Sequence, residues 1–432
     1  MMKQYDSYKD SGVEWIGKIP SHWEVGRLKF AGSFDNGLTY SPNDITDESG
    51  ILVLRSSNIQ QSKLDYNDCV YVREAPKELI VDVGDIIICS RNGSANLVGK
   101  CAYVDTQIKA TYGAFMMRFK PVIDKRFAFY LFKTTTDYYK GLFSTTTINQ
   151  LTQGIISQMY IPSVPYLEQQ AIASYLDKKC GEIDKAITTQ EKRVELLKEL
   201  RQNIITHAVT RGINHDAPLK DSGVEWIGEV PEHWEVNRLK TLCRTIRNGY
   251  VGPTRDLYVD DGIPYIQSVH IKDGDILFER EEYYVTKDWA DKHPKIYKGD
   301  IVVVQTGDIG QIALVTNKFD KCNCHALIIL SINNNVISSE YLSLYLRSHI
   351  GKELMLQTKT GALLPHLNST QIGDTTTIVP PLSEQQEIVS YIESQTVRLD
   401  KSIEKAEHQI ELLQELKQSI ITEVVTGKRK VV

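Results

Sequence analysis

The sequence predicts an α/β (α+β) chain: two globular domains joined by two long helices that form an antiparallel coiled coil, an internal repeat with pseudo-twofold symmetry. Three observations carry this reading. The stretch DSGVEWIGKIPSHWEV, beginning at Asp10, returns as DSGVEWIGEVPEHWEV at Asp221 with three substitutions in sixteen positions. Between Glu168–Thr210 and Glu384–Thr426, 21 of 43 positions are identical. A chain of 432 residues also exceeds the usual size of one hydrophobic core.

The repeat runs through the whole chain, and repeats are read before single elements. Asn36-Gly37 aligns with Asn248-Gly249, ILVLRSSNIQ (51–60) with IPYIQSVHIK (263–272), and Gly84-Asp85-Ile86 with Gly299-Asp300-Ile301. The boundaries that follow are a first domain over 1–165, a central helix over 166–212, a second domain over 213–382 and a C-terminal helix over 383–432. The ends of each copy agree while the middles diverge. That separates a shared mechanical task from two different ones.

Each middle reads as mixed α/β. Short β-rich runs such as ILVL (51–54), DIIIC (85–89) and DIVVV (300–304) are bounded by Gly, Asn and Asp turns. Helical stretches lie between them, RFAFYLFKTTTDYYKG in the first copy and SSEYLSLYLRSHIGKEL in the second. In the closing segments apolar residues recur in steps of three, four and seven, from Ile172, Leu176 and Ile183 to Ala208, and from Ile388, Ile392 and Leu399 to Val424. Such a seam calls for a partner helix. Pro162 and Pro165, like Pro380 and Pro381, precede it and stop any earlier helix. Some 43 helical residues would extend about 65 Å. Trp15, Trp23, Trp226 and Trp234 stand in the near-identical motifs, so they read as packing residues that seat each domain on its helix.

Composition sets limits. Hydrophobic content of 41% and charged content of 24% are those of a soluble globular protein. No run of eighteen apolar residues exists and the N-terminus has no signal-peptide character, so the chain reads as cytoplasmic. Seven scattered cysteines suit a reducing compartment. The run Cys322-Asn323-Cys324-His325 lacks a second ligand pair at zinc-like spacing and reads as reduced thiols near a strand; no metal is expected. A formal charge of −5, with no basic block, means that any nucleic-acid contact must use a local basic face. The phosphate-cradling G-x-x-x-x-G-K-[ST] loop, G-x-G-x-x-G, H-E-x-x-H and G-x-S-x-G are all absent, which favours a binding role over catalysis.

The doubled D-S-G-V-E-W-I-G-x-[IV]-P-x-H-W-E-V, the Gly-Asp-Ile strand and the Pro-led E-Q-Q opening of a long helix resemble the specificity subunit of type I restriction–modification enzymes, over essentially all 432 residues. The first copy departs locally, with PSVPYLEQQ where the family pattern is nearer PPLSEQQ, which puts the start of that helix in question. The resemblance implies two target-recognition domains, each reading one half of a bipartite, asymmetric double-stranded DNA site. It implies helices that set the spacing and dock two methyltransferase (modification) subunits, joined by endonuclease/translocase (restriction) subunits. S-adenosylmethionine, ATP and Mg would then belong to those partners and no cofactor to this chain. The rival readings are a stand-alone two-domain DNA-binding regulator, a coiled-coil scaffold for two ligand-binding domains, and an enzyme with unrecognised motifs.

Base readout needs Arg, Lys, Asn, Gln, Ser and Thr on loops that reach groove edges. In the first middle the candidates are Arg55, Ser56, Ser57 and Asn58 after one strand, Arg91, Asn92 and Ser94 after another, and Thr145, Thr146, Thr147 and Asn149 in a polar loop. Their counterparts are Gln267, Ser268 and His270; Gln305 and Thr306; and Thr358, Lys359, Thr360, His366 and Asn368. Matching places carry different side chains, as two readers of different sequences should. Tyr40 and Arg255, near the Asn-Gly turns, are secondary candidates.

Overall fold

The computed structural model describes residues 4–143, 150–359 and 366–431. The chain forms two compact units, divided between Gln190 and Glu191 and again between His408 and Gln409. The first unit is therefore discontinuous in sequence, and both long helices, Tyr166–Arg211 and Leu382–Val425, cross the division.

In the first unit an antiparallel sheet has the strand order Cys101–Tyr103, Ile86–Cys89, Met116–Pro121, Gly32–Asn36. A second sheet has the order Ala110–Tyr112, Ile51–Leu54, Tyr71–Val72, Ile45–Thr46, its first two strands parallel. The strand Ile86–Cys89 is apolar throughout because both its faces are covered. Ile86 and Ile88 join Phe119, Phe127 and Phe132 on the helix side, where Lys125–Phe143 packs. Ile87 and Cys89 turn the other way, toward Leu52, Leu54 and Tyr112. Alternation with period two thus produces two cores from one uninterrupted run.

The second unit repeats this build. Its sheets have the orders Cys243–Asn248, Leu327–Ile332, Ile301–Val304, Ile312–Leu314 and Tyr258–Val259, Tyr284–Val285, Ile263–Ile266, Asn323–Cys324. Ile301 and Val303 face one core, Val302 and Val304 the other. The helical layer differs. Where the first unit has one 19-residue helix, the second has Ser339–Arg347 and His349–Leu356. They break at Ser348, whose hydroxyl accepts from the Gly351 N–H at 3.0 Å; a serine cap begins a new helix here rather than extending the old one.

The aspartate that both copies place in the Gly-Asp-Ile run is buried. Asp85 accepts from the Asp82 N–H at 2.9 Å and lies 3.5 Å from the Arg118 guanidinium. Asp300 accepts from the Tyr297 N–H at 3.0 Å, with Arg247 at 3.8 Å. The arginine comes from different strands: Arg118 sits on Met116–Pro121 opposite Asp35, and Arg247 on Cys243–Asn248 opposite Ile329. The same charge is balanced from either side of one strand pair.

The long helices pair antiparallel within each unit. In the first, Ile172, Leu176 and Ile183 share a core with Ile420, Ile421 and Val424, and Lys417 bonds Asp184 at 2.5 Å. In the second, Ile205, Ala208 and Val209 share a core with Ile388, Val389 and Ile392, with Lys198–Glu407 at 2.8 Å and Arg201–Asp400 at 2.9 Å along the edge. The start of the first helix is not disturbed by its divergent proline pattern. Gln169 N–H donates to the Pro165 carbonyl at 3.0 Å, as Gln385 N–H does to Pro381 at 2.9 Å.

The repeated motifs explain one another. In D-S-G-V-E-W-I-G a closed loop forms, with Ser11 N–H on the Gly17 carbonyl and Ser222 N–H on Gly228, both 3.0 Å. The H-W pair then reaches the glutamate of E-Q-Q: Trp23 Nε1–H donates to Glu168 at 3.0 Å beside His22 at 2.6 Å, and Trp234 and His233 meet Glu384 at 3.0 and 2.8 Å. The glutamine that follows ties down the preceding helical layer. Gln169 accepts from Asp124 N–H and donates to the Val164 carbonyl; Gln385 accepts from Ser338 N–H and donates to the Pro380 carbonyl. Past each long helix a glycine turns left-handed, Gly212 and Gly427 both at φ +75°. A Cβ on Gly427 would lie 2.8 Å from the Trp23 ring, and one on Gly212 3.1 Å from the Trp234 ring. Each tryptophan is thus gripped between the start of one long helix and the end of the other.

Three of the four motif tryptophans are buried, as packing residues should be, but Trp226 is 58% exposed. In the first unit Tyr138 of the long layer helix lies over Trp15, ring centroids 6.0 Å apart. In the second unit the helix in that layer ends at Arg347.

Candidate nucleic-acid interface

Two parallel strands, Ile51–Leu54 and Ala110–Tyr112, finish at the same edge of the first unit, close to the end of Ile86–Cys89. The residues after these three strand ends line a cleft of about 890 Å³ that includes Tyr40, Arg55, Ser56, Ser57, Arg91, Asn92 and Phe115. Five of the sequence-predicted residues are thereby brought together, with the secondary candidate Tyr40. Asn92 Nδ2–H donates to Ser56 Oγ at 3.3 Å, linking two of the loops, and Lys100 Nζ lies 3.5 Å from the Ser56 carbonyl.

The two arginines are not equivalent. Arg55 is committed: it bonds the Asp68 carboxylate at 2.8 Å and the Asp68 carbonyl at 3.1 Å. Arg91 is exposed, has no carboxylate partner among the described residues, and lies over the Phe115 ring with Cζ 5.4 Å from the centroid. Ser94 is exposed, and its N–H donates to Asn92 Oδ1 at 3.0 Å. Thr145, Thr146, Thr147 and Asn149 lie outside the described residues. Gln150, where the chain resumes, pairs with Arg91 in an antiparallel bridge.

Asn58 requires correction. It is fully buried, its Oδ1 accepts from Arg55 N–H at 2.9 Å, and its Nδ2 donates to the Asp65 and Asp68 carbonyls at 3.0 and 2.9 Å. A side chain with its bonding groups used inside its own loop holds that loop in shape and does not reach a base. His270 does the same in the second unit. It is fully buried, Nδ1 accepts from Gln267 N–H at 2.9 Å, and Nε2–H donates to the Glu281 carbonyl at 2.6 Å. Burial holds the imidazole below its ordinary range, opposed by that carbonyl.

Of the other second-unit candidates, Ser268, Thr306, Lys359 and His366 are exposed. Gln267 donates to the Tyr258 hydroxyl at 2.8 Å. The Gln305 carbonyl accepts from Leu367 N–H at 3.0 Å, the counterpart of the Leu151 N–H bond to the Ser90 carbonyl at 2.7 Å. Thr358 Oγ1–H bonds the Met355 carbonyl at 2.7 Å. Thr360 lies outside the described residues. Asn368 is half-buried: Oδ1 accepts from Thr370 and Gln371 N–H at 3.1 and 2.8 Å, and Nδ2 meets the Gln371 side chain at 2.6 Å, so it shapes a turn.

Sequence reasoning missed what fills the equivalent place in the second unit. Leu38 bridges Gly113 in the first unit; Tyr250 bridges His325 in the second. Tyr250 packs edge-on against Trp289 and His293, each with centroids 5.0 Å away, and those two rings stack at 3.8 Å. The run Cys322–Cys324 lies at this sheet edge, with Asn323 and Cys324 paired in parallel with Tyr265 and Ile266; burial pushes the Cys322 and Cys324 thiols up to about 11 and about 12. One open, cation-bearing cleft and one aromatic-filled surface thus occupy matching positions.

The sequence model of the type I restriction modification DNA specificity domain matches twice, over residues 20–198 and 231–413. The chain belongs to this family. Each match runs from the opening motif through the divergent middle into a long helix, so the family's unit coincides with the repeat. Among characterised relatives, the type I restriction enzyme EcoKI specificity subunit of Escherichia coli (strain K12) is 23% identical over 435 residues, covering 95% of this chain and 90% of the relative. A putative type I restriction enzyme MjaX specificity subunit of Methanocaldococcus jannaschii is 25% identical, covering 96% of each. A chain solved in work on complex assembly and conformational transition of the type I R-M system superposes with a TM-score of 0.66 at 15% identity, covering 94% of this chain and 98% of that one. At that identity the likeness concerns the fold.

Proposed function

We propose that this chain is the non-catalytic, sequence-reading subunit of a type I restriction–modification complex, each domain contacting one half of a bipartite asymmetric DNA site. The observation that carries the reading is the cleft at the three strand ends of the first unit, where Arg91, a cation without a carboxylate partner among the described residues, stands beside hydroxyl and amide groups. The matching surface of the second unit has different chemistry on the same frame, as an asymmetric target requires. A stand-alone regulator would need no further binding face on its helices. Yet Leu196 and Leu200 on one helix, and the equivalent Leu412 and Leu416 on the other, are 47–63% exposed. The same apolar pair presented twice suits two copies of one partner, the methyltransferase subunits. S-adenosylmethionine, ATP and Mg would be bound by those and the restriction subunits. Among the described residues no helix is long and apolar enough to cross a membrane.

The test is a methylation survey of cells that express this chain with its methyltransferase. A split asymmetric motif with adenine modified in both halves is expected, and exchanging residues 30–160 for another reader should alter one half only. Assembly of all subunits without any new motif would overturn the reading. In a salt-controlled titration, Arg91→Ala should weaken cognate binding by about 1–3 kcal/mol and leave methyltransferase assembly intact. Equal binding by the variant and its parent removes Arg91 from the interface.

A further inference from the structure

Phe115 is a large apolar side chain left 60% exposed on the rim of the first-unit cleft. Its backbone is fixed: the carbonyl accepts from Ser90 N–H at 3.0 Å, Arg91 N–H at 3.2 Å and Ser90 Oγ–H at 3.0 Å. The turn that carries it is a first-unit feature. Gly37 and Gly249 N–H donate to the Met116 and Leu327 carbonyls, and Leu38 and Tyr250 N–H to those of Tyr112 and Cys324. Three residues separate the acceptors in the first unit and two in the second, where Ala326 occupies the shorter turn at φ +47°. The insertion therefore adds an aromatic residue to one reader alone.

Resting on the reading of this cleft as a DNA-contacting surface, we propose that Phe115 is a specificity-determining residue whose ring takes the C5 methyl of a thymine in the major groove, beside the base contacted by Arg91. One ring face is already covered by the Arg91 guanidinium. A wedge between base pairs needs both faces free to stack, so insertion is disfavoured and the open edge and remaining face meet an apolar group. The thymine methyl is the apolar group exposed at major-groove base edges, and phenylalanine is among its recognised contacts. Arg91 beside it matches the O6 and N7 acceptors of guanine. The 5.4 Å between guanidinium carbon and ring centroid limits the two contacts to base pairs one or two steps apart, at about 3.4 Å per step.

The experiment uses the full chain with its methyltransferase subunits and duplexes carrying the motif found by the methylation survey, at fixed salt. Each thymine of the first half-site is replaced in turn by deoxyuridine, which removes only the methyl. With the parent protein one replacement should cost about fourfold in affinity, the value of one buried methyl group. Phe115→Ala should bind about tenfold more weakly and lose the penalty at that position alone, while Phe115→Leu keeps most of the affinity. The proposal is overturned if the alanine variant binds as its parent does, if the penalty persists in it, or if no thymine lies within two base pairs of the guanine whose selection Arg91→Ala relaxes. Full binding by both the Arg91→Ala and Phe115→Ala variants would instead sink the reading of the cleft itself.

Discussion

Trp23→Ala should cost the first unit about 3–5 kcal/mol, and Trp234→Ala should cost the second a similar amount, the range for a fully buried tryptophan. Both indoles have no solvent exposure, and each loses a bond to the glutamate that opens a long helix along with its packing against the glycine that follows the other. Trp226→Ala, from the same repeated motif, should cost well under half as much, because that residue is already more than half exposed. Scanning calorimetry of the three variants makes the comparison. Similar small losses for all three would mean that the H-W pair does not hold the domains to the helices.

Arg118→Ala is expected to destabilise the first unit by about 3–5 kcal/mol, as removal of one partner from a buried ion pair does. The guanidinium donates to Asp35 at 2.7 Å and to the Ile80 and Glu78 carbonyls at 2.9 and 2.8 Å, and lies 3.5 Å from buried Asp85. Burial already raises the Asp85 carboxyl above its ordinary value, while the Asp82 N–H and Arg118 pull it down. Without Arg118 the folded-state value climbs further above the unfolded one. The folded protein then holds a proton more readily than the unfolded chain does. The stability this contributes is present at low pH and is lost as pH rises through the folded value. The variant's deficit in melting temperature should therefore be smaller at pH 5 than at pH 8. A deficit independent of pH would show that the unpaired Asp85 charge is not what destabilises the variant.

The long helices were legible because a seam repeating every three, four and seven residues has few other uses. Ile172, Leu176 and Ile183 are buried in that seam. That the candidate loops follow strand ends was legible, since strands end at Gly, Asn and Asp turns. Their individual roles were not. Asn58 and His270 have the residue types that read bases, and only their bonds reveal that both are used up inside a loop. Phe115 was passed over for the converse reason. An apolar residue in a strand-rich stretch reads as core, and its exposure comes from one extra residue in a turn. Trp226 and Trp15 share their local sequence, so their different burial is set by partners distant in sequence, such as Tyr138 over Trp15.

The first unit is assembled from residues far apart in the chain, with Gly427 pressed on Trp23 and Val424 in the same core as Ile172. The second is one continuous stretch, Glu191–His408. During synthesis the domain whose sequence emerges first must therefore wait, its core open along one side, until residues beyond 409 are made. The domain translated later has all its parts sooner. Completion of the molecule thus runs against the direction of translation. A chain cut near residue 408 and free of the ribosome would hold every residue of the second domain and leave the first seam exposed, the stage most open to aggregation or to a chaperone.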